Sequence, residues 1–477
     1  MEMLTVHLNR SHDIPLYEQL YRHIKQEIIK GKIAYRTKLP SKRKLAEHLK
    51  VSQNTVEYAY EQLVAEGFLE AVPRKGFFVM AKEELEYIQP EPDVQNPPQN
   101  DHDNVKYHFH PSWIDTDNFP MDLWRRIARN IMTKENQNLL LLGESQGEYE
   151  LRREIAEYLY HARGVNCTPE NIVIGAGSEF LLQQIIHLFG EKTVYGVEDP
   201  GYHVISRLLH KHANQVYPLE VDGEGVKVSS FGELAIDVVY VTPSHHFPFG
   251  SVLPVNRRVK LLNWAQSVPG RYIIEDDYDS EFRYSGKTIP SLQSMDKSGK
   301  VIYLGSFSKS LIPSLRISYM VLPNELLERY KEELSFYHCS VSRLDQHILS
   351  SFMREGHFEK HLNRMRKIYR RKLELVLEIL NKYPEYVEVI GEHSGLHIVL
   401  TVKNGMKESE LIKRAMAEKL KVYPISYYFL EKKEEFPPKI ILGFAGIPEN
   451  ELENAIMTLL TSWEIGNGRD KINSHNR

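Results

Sequence analysis

The amino-acid sequence predicts a multidomain protein in which a small α+β module precedes a large α/β domain with a smaller C-terminal α+β subdomain. Three observations predict this order. Three helical patterns and one hairpin pattern fill the first 80 residues, strand and helix patterns alternate from residue 108 onward, and a polar segment separates the two regions. The predicted boundaries are 1–80 for the module, 81–107 for the linker, 108–466 for the large domain with its subdomain from about 345, and 467–477 for a polar tail.

The first module has the outline of a winged helix-turn-helix. Leucine or isoleucine occupies positions 16, 20, 24 and 28, which is the stripe of an amphipathic helix. Two shorter helical patterns, 41–49 and 52–67, each begin on a serine suited to an N-cap, and the second ends on a glycine. Residues 68–79 then form two β-prone runs around an Arg-Lys-Gly turn. Three helices followed by a hairpin predict a winged helix.

Charge is distributed unevenly along the chain. The net charge is −4, but residues 14–80 hold 12 Lys or Arg and 7 Asp or Glu. A basic module on an acidic body favours local contact with nucleic acid over contact with a membrane. The sequence has no apolar run long enough for a signal peptide or a spanning helix, and its 2 cysteines are far apart. We therefore expect a cytoplasmic protein without a membrane span, a disulfide framework or a structural zinc site.

The residues suited to DNA contact surround the start of the third helical pattern. Residues at the start of a recognition helix face base edges, and the amides of Gln53 and Asn54 are able to pair bidentately with adenine. Neighbouring hydroxyl and basic side chains are suited to phosphates. The predicted DNA contacts are Lys42, Arg43, Ser52, Gln53, Asn54, Thr55, Arg74, Lys75 and Gly76. The alternative is a winged helix used for protein contact, or a plain three-helix scaffold.

The region after residue 108 alternates helical patterns with short apolar runs, which predicts a mainly parallel sheet. The predicted strands of this sheet are 172–174, 194–197, 238–241, 272–274, 301–304 and 317–322. A long helical stretch follows at about 340–382. The strands predicted for the smaller subdomain are 387–390, 397–402, 422–424 and 439–444.

Two turns in the α/β region carry groups suited to a phosphate and to a planar ring. Gly177 and Ser178 follow a strand and open a helix, so they offer backbone N–H groups and a helix dipole to a phosphate. Tyr202 belongs to the turn Glu-Asp-Pro-Gly-Tyr and can stack on a planar cofactor. Each signal is weak alone, because glycine turns are common and an ordinary surface tyrosine explains the second equally well.

Carboxylates cluster at the end of the predicted strand 272–274. The run Glu275-Asp276-Asp277 places acidic groups where burial costs free energy unless they are paired. A carboxylate that faces a pyridinium nitrogen keeps this nitrogen protonated, which is the state in which pyridoxal 5′-phosphate (PLP) withdraws electrons. Tyr278 can then bond the phenolic oxygen of the cofactor. A metal held by the adjacent aspartates is the alternative, although no third ligand is suggested nearby.

A lysine flanked by serines follows the predicted strand 301–304. Lys309 can form a Schiff base, Ser306 and Ser308 can bond a phosphate, and the nearby Arg316 can neutralise it. A lone lysine carries no information. This lysine, preceded by the glycine turn, the tyrosine turn and the carboxylates, completes the order that PLP chemistry requires, so the sequence predicts PLP as the cofactor.

These motifs resemble known families. The first module resembles the GntR family of winged-helix regulators, and about residues 108–465 resemble fold-type I aminotransferases. Joined in one chain, and with stretches such as 242–250, 272–282 and 305–322, they resemble the MocR/GabR family of transcription regulators. The resemblance implies a head-to-tail homodimer.

The resemblance also implies a role for each cofactor-binding residue. Lys309 would be the Schiff-base lysine, and Asp276 would partner the pyridine nitrogen. His245 stands where aminotransferases often place an asparagine near the phenolic oxygen. The full set consists of Lys309, Asp276, Tyr278 on the phenolic oxygen, Tyr202 on the ring, Gly177, Ser178, Ser306, Ser308 and Arg316 at the phosphate, and His245.

The sequence thus predicts a PLP-dependent, DNA-binding transcription regulator in which an amine or amino-acid effector forms an external aldimine and alters DNA binding. The alternatives are a functional aminotransferase with an accessory DNA-binding module, and a scaffold that no longer binds PLP. GABA-responsive members of the family carry arginines for the effector carboxylate, but 201–204 and 424–428 contain none. We therefore expect GABA to bind poorly, and the missing anchor also argues against catalysis, which needs an oriented substrate.

Overall fold

The structure, a computed structural model, describes residues 6, 8–10, 14–80, 105–212, 215–231, 234–284, 286, 288–431 and 437–466. The chain divides into two compact units, Met1–Gln99 and Asn100–Arg477. Most of the predicted linker 81–107, and all of the predicted tail 467–477, lie outside the described residues. No helix in the described ranges is both long and apolar enough to cross a membrane.

The first unit is a winged helix, as the sequence predicted. Its elements are α1 (Leu16–Ile29), α2 (Lys42–Leu49), α3 (Gln53–Ala65), β1 (Leu69–Val72) and β2 (Gly76–Val79), and the two strands pair antiparallel. The predicted stripe of α1 is buried, and it packs with residues of α2 and α3 such as Leu45, Val56 and Leu63 in one apolar core. Burying this stripe is what holds so small a unit together, because helices of this length are marginal alone.

Both predicted serine caps are present in the first unit. The Oγ of Ser41 accepts a hydrogen bond from the backbone N–H of Lys44 at 3.3 Å, and that of Ser52 accepts one from Thr55 at 3.2 Å. Each bond satisfies an N–H that has no partner within its helix. Gly67 follows α3 with a φ of +77°, the left-handed conformation that ends helices at little cost with glycine. These local signals explain why the helix boundaries follow the sequence closely.

The second unit contains a mixed sheet of eight strands in the order β4-β11-β10-β9-β8-β5-β6-β7. The strands are β4 (Ile172–Ala176), β5 (Val194–Asp199), β6 (Gln215–Asp222), β7 (Gly225–Val226), β8 (Val238–Val241), β9 (Tyr272–Asp277), β10 (Val301–Ser306) and β11 (Ile317–Val321). The five central strands from β10 to β6 run parallel, while β11 is antiparallel to both of its neighbours. The prediction of a mainly parallel sheet is confirmed. The edge strands β6 and β7 were not predicted, because an edge strand lacks a continuous apolar run.

Helices cover both faces of this sheet. They are α4 (Met121–Ile131), α5 (Tyr149–Arg163), α6 (Ser178–Phe189), α7 (His203–His212), α8 (Val255–Ser267), α9 (Phe307–Ser310) and α10 (Asn324–Glu333). Neighbouring strand residues point to opposite faces. On β9, Ile273 packs in a cluster with α8, whereas Ile274 packs in a cluster with α6, α7 and α10. The central strands are therefore buried between apolar layers on both faces. This packing holds their carboxyl ends in a fixed position.

The smaller subdomain follows as predicted, with one difference. Its elements are α11 (Arg343–Arg354), α12 (His357–Leu380), β12 (Val387–Ile390), β13 (His397–Val402), α13 (Glu408–Ala417), β14 (Leu420–Lys421), β15 (Tyr423–Pro424), β16 (Lys439–Gly443) and α14 (Glu449–Ser462). The helical stretch predicted at 340–382 is two helices, because Gly356 adopts a φ of +71° between them. The early strand β3 (Tyr107–His108) pairs with β14, so the start of this unit is bound to the subdomain.

Candidate functional site

The carboxyl ends of β9 and β10 and the amino end of α6 surround one cavity. Predicted cofactor residues that line it are Ser178, Tyr202, Asp276, Tyr278, Ser306, Ser308, Lys309 and Arg316. The arrangement follows from the topology, because the ends of neighbouring parallel strands meet at the same sheet edge and ligands bind there. Gly177 and His245, the two other predicted residues, are not part of this lining.

Lys309 occupies the floor of the cavity at the start of the short helix after β10. Its Nζ donates a hydrogen bond to the carbonyl oxygen of Pro111 at 3.2 Å and lies 4.6 Å from the ring centroid of Tyr278. Burial lowers the pKa of Lys309, and the nearby charges of Asp279 and Asp276 oppose this effect. Burial therefore favours the neutral amine, which is the form that attacks a carbonyl carbon.

The carboxylates at the end of β9 point in alternate directions, and each has its own partners. Asp276 alone faces the cavity, where it accepts a short hydrogen bond from the hydroxyl of Tyr240. Asp277 accepts one from Nε of Arg163 at 2.7 Å. Glu275 accepts backbone N–H bonds from Leu292 and Gln293 at 2.7 and 2.8 Å. The three groups are thus not free to share one metal ion, and only Asp276 is available to a ligand.

Burial raises the pKa of Asp276 to about 7, which makes this carboxyl sensitive to a cation beside it. A positively charged ligand group would stabilise its ionised form and lower that pKa. A buried, singly partnered aspartate at a strand end therefore suits a protonated ring nitrogen.

The opposite end of the cavity is built for an anion. Ser306 Oγ accepts from the backbone N–H of Ser308 at 3.1 Å and from the hydroxyl of Ser318 at 2.9 Å. Arg316 forms an ion pair with Glu179 at 2.7 Å. A Cβ added to Gly177 would lie 2.1 Å from Nη2 of Arg316, so only glycine leaves the guanidinium room at the start of α6. Serine hydroxyls, an arginine and a helix amino end together match a phosphate.

His245 is not part of the cavity lining. Its Nδ1 lies 3.0 Å from the hydroxyl of Tyr278 and 2.9 Å from Oδ1 of Asp279. His245 fits closely between glycines, since a Cβ on Gly395 would lie 2.1 Å from its ring. It therefore positions Tyr278, and Tyr278 faces the cavity.

Several lining residues were missed by sequence reasoning. They are Ser112, Glu179, Thr242, Phe247, Pro313 and Ser318. Glu179 and Ser318 adjoin residues that were predicted, so their neighbours offered a signal. Ser112 had none, because it comes from the segment before α4 and reaches the cavity only through the tertiary fold.

The winged helix exposes part of the predicted DNA-binding set. Gln53 and Asn54 are exposed in the first turn of α3, and Arg74 and Lys75 are exposed at the hairpin tip, where Gly76 has a φ of +111°. The side chain of Arg43 is 81% exposed and pairs with Glu47 one turn further on. An exposed i,i+4 pair of this kind is weak, so the guanidinium is available to a phosphate.

Three residues of the predicted set make contacts within the unit. Lys42 Nζ forms a short ion pair with Glu57 and lies 5.6 Å from the ring centroid of Phe77. Ser52 and Thr55 bond each other, with 2.8 Å between their side-chain oxygens, as part of the cap of α3. These three residues stabilise the helix-turn-helix in the structure, a role that the sequence predicted only for Ser52, as the cap of α3.

Family models match both units. A model of bacterial regulatory proteins of the gntR family matches residues 16–79, and a model of aminotransferase class I and II matches residues 115–459. The kynurenine aminotransferase of Pyrococcus horikoshii, solved in complex with PMP, is 24% identical and superposes with a TM-score of 0.66 over 76% of this chain and 91% of its own. LysN of Thermus thermophilus, an α-aminoadipate aminotransferase, is 23% identical and superposes with a TM-score of 0.66 over 76% of this chain and 92% of its own. These likenesses establish the fold.

Relatives along the whole chain are regulators. YdeL of Bacillus subtilis, named an uncharacterized HTH-type transcriptional regulator, is 43% identical over 97% of this chain and 100% of its own. The probable rhizopine catabolism regulatory protein MocR of Rhizobium meliloti is 30% identical over 96% of this chain and 95% of its own. The fold and these relatives define a transcription regulator that joins a DNA-binding helix-turn-helix to an aminotransferase-like domain. The chain belongs to the MocR/GabR family of HTH-type transcriptional regulators.

Proposed function

We propose that the second unit binds PLP at Lys309 and senses a small amine or amino acid there, and that this event changes the affinity of the winged helix for its operator. The observation that carries the proposal is the setting of Lys309. Its amine is buried, which lowers its pKa, and the same cavity holds the carboxyl of Asp276 and the anion-binding groups of the serines and Arg316. A ligand shifts an equilibrium between two conformations only if it binds them unequally. Ligand binding at Lys309 would therefore have to differ between the conformations of high and low DNA affinity.

The residues of the cavity fit the cofactor group by group. The seryl hydroxyls, the amino end of α6 and Arg316 suit its phosphate, and Asp276 suits its ring nitrogen. Tyr202 and Phe247 supply an aromatic wall on the same cavity. When bound, PLP supplies an aldehyde that condenses with primary amines and a ring that withdraws electrons.

The protein's own groups then hold protons and charges in place. Arg316 pairs with Glu179 in this structure, so a phosphate would compete with that carboxylate for the guanidinium. The Tyr278 hydroxyl is oriented by His245, which is in turn held by Asp279. Lys309 would hold the cofactor, and because burial lowers the pKa of its amine, this amine is suited to accept a proton beside Tyr278.

We further propose the remaining features of this regulator. The DNA contacts would come from Gln53, Asn54, Arg43 and the hairpin tip. The protein would act in the cytoplasm as a head-to-tail homodimer, as the family architecture implies.

A working aminotransferase is the second candidate function, favoured by the likeness of the second unit to aminotransferases and by a base at Lys309. Formation of a keto acid from an amino acid by the PLP-loaded protein would identify that function.

The test begins with the cofactor. Purified protein incubated with PLP should turn yellow, and borohydride should fix the cofactor covalently to one peptide, the one containing Lys309. Lys309→Ala should give no covalent adduct while keeping its circular dichroism spectrum, because this lysine is present for chemistry rather than packing. Lys260→Ala, on the exposed face of α8, is the matched control and should still give the adduct. A colourless wild-type protein would overturn the proposal.

A further inference from the structure

The anion-binding end of the Lys309 cavity contains a carboxylate. Glu179 lines the cavity and forms an ion pair with Arg316 at 2.7 Å. Its Oε2 lies so close to the start of α6 that a Cβ added to Gly177 would come within 2.7 Å of it. A phosphate is held by positive charge and by N–H or O–H donors, and a carboxylate offers it neither. Binding of the cofactor phosphate therefore does not account for Glu179.

The balance of charge in this cavity becomes negative when the cofactor is bound. Among the described residues that line it, Lys309 and Arg316 are the basic ones, and Asp276 and Glu179 are the acidic ones. A phosphate monoester adds about −1.5 to −2 charges at pH 7. Once Lys309 is bound to the cofactor, Arg316 alone faces two carboxyl groups and the phosphate. The remaining cation of the lining is then already paired.

The part of the lining that the charged groups of the cofactor do not use is mainly apolar. Phe247 and Pro313 lie there. Phe247 is 5% exposed, and its ring centroid lies 5.7 Å from that of Tyr202. The hydroxyl of Thr242 donates to Glu198 at 2.6 Å and accepts the backbone N–H of Phe247 at 3.3 Å, so it is already engaged. A ligand group that reaches this wall is stabilised if it is apolar.

These two features act against an effector that carries a carboxylate. Within the described lining its anion would meet no unpaired cation, while Glu179 and the phosphate would repel it. A partly buried anion without a partner is costly in free energy. An ammonium group is instead attracted by the same negative charges as it approaches. The cavity thus discriminates between amines by the charge on the rest of the molecule.

We propose that the effector is a primary amine whose remaining part is apolar and carries no anionic group, and that Glu179 and Phe247 are specificity-determining residues. The inference rests on the proposed function at Lys309 and names the chemical class that the same site selects. Glu179 acts by repulsion, because it raises the cost of any anion in the loaded cavity. Phe247 acts by attraction, because it forms the wall that the apolar part contacts.

The probes are phenethylamine and L-phenylalanine, which share the same aromatic group and differ by one carboxylate. Each is titrated into the PLP-loaded full-length protein, and the half-saturating concentration is read from the absorbance change. A third probe, n-butylamine, has neither a ring nor an anion. We expect phenethylamine to half-saturate at a concentration at least about tenfold below that of L-phenylalanine, because an unpaired anion in the cavity costs at least this much.

Two variants test the two residues separately. Glu179→Gln keeps the size of the side chain and removes its charge, so it should narrow the ratio between the two aromatic probes by at least about threefold. Phe247→Leu keeps an apolar side chain but removes the flat ring. It should weaken phenethylamine by about threefold relative to n-butylamine, because contacts between aromatic rings are lost.

Glu453→Gln, at an exposed position of α14, is the matched control for the loss of one negative charge and should keep the full ratio. L-phenylalanine that half-saturates at or below the concentration of phenethylamine in the wild-type protein would overturn the inference. An unchanged ratio in Glu179→Gln would also overturn it. If none of the three probes alters the spectrum, the proposed function fails instead, so the two failures are distinguishable.

Discussion

At the scale of single residues, burial raises the pKa of three carboxyl groups on the strands that lead to the cavity. Glu198 is buried near the end of β5, where its Oε2 accepts bonds from the backbone N–H and the hydroxyl of Thr242 at 3.0 and 2.6 Å. Burial raises its pKa to about 8, from an ordinary value of 4.5. Burial also raises the pKa values of Asp276 and Glu275 to about 7. These groups make the stability of the cofactor-free protein depend on pH.

The direction follows from proton binding. Between pH 4.5 and pH 8 the folded protein holds a proton on Glu198 that the unfolded chain has released. The stabilisation from this group is complete below pH 4.5 and is lost as the pH rises through 8, with a slope of at most about 1.4 kcal/mol per pH unit. We expect the melting temperature of the cofactor-free wild-type protein, relative to that of Glu198→Gln, to fall between pH 5 and pH 8.5.

Glutamine is the right substitution because its carbonyl oxygen can still accept the two Thr242 bonds without titrating. Glu453→Gln, at an exposed position of α14, is the control and should leave the fall unchanged. A melting-temperature difference between the wild type and Glu198→Gln that is the same at pH 5 and at pH 8.5 would show that Glu198 is ionised in the folded state.

At the scale of elements, α3 has the properties of a recognition helix. Its first turn exposes the amides of Gln53 and Asn54, while Val56, Ala59 and Leu63 on its other face are buried. The cap formed by Ser52 fixes the start of the helix and hence the position of these amides. The exposed Arg43 on α2 is suited to a backbone phosphate, where sequence does not matter.

This division predicts two kinds of effect on DNA binding. Gln53→Ala or Asn54→Ala should reduce the preference for the operator over random DNA by about 1–3 kcal/mol, if the lost contact is a bidentate base contact. Arg43→Ala should weaken binding to both DNAs alike and reduce the salt slope by about 1. Affinities measured across a salt series on operator and random duplexes provide the check. Equal losses on both duplexes from all three variants would contradict the assignment of α3.

At the scale of the whole molecule, the regulator needs energetic coupling between its ligand site and its DNA site. Coupling free energies in such systems are typically 1–3 kcal/mol, or about 5–150-fold in affinity. We expect an amine or amino-acid effector to change the operator affinity of the PLP-loaded protein by a factor within this range. The Lys309→Ala variant should bind the operator but show no such change, because its effector cannot react.

The measurement is operator affinity with and without a saturating primary amine that alters the absorbance of the PLP-loaded protein, in the wild-type protein and in Lys309→Ala. Lys260→Ala serves as the control and should respond like the wild type. An effector that changes the absorbance but leaves operator affinity within twofold would show that the second unit senses without regulating. A response that persists in Lys309→Ala would place the sensing chemistry elsewhere.

Much of this protein was determined by local sequence. Hydrophobic periodicity predicted the three helices of the winged unit and the central strands, because each pattern depends on residues only a few positions apart. Serines 41 and 52 predicted helix starts, which the structure confirms. Lys309, Asp276 and the glycine turn were recognisable because each lies at or just beyond the end of a strand, and these strand ends meet at one sheet edge.

Only the tertiary structure decided contacts between residues distant in the chain. It brings Ser112 into the Lys309 cavity, places His245 behind Tyr278, and pairs Lys42 with Glu57. It also brings the rings of His203 and Tyr428, more than two hundred residues apart in the chain, to 5.3 Å between their centroids. Such contacts depend on strand order and on how whole elements pack. Sequence patterns instead reflect interactions within a single helix, strand or turn.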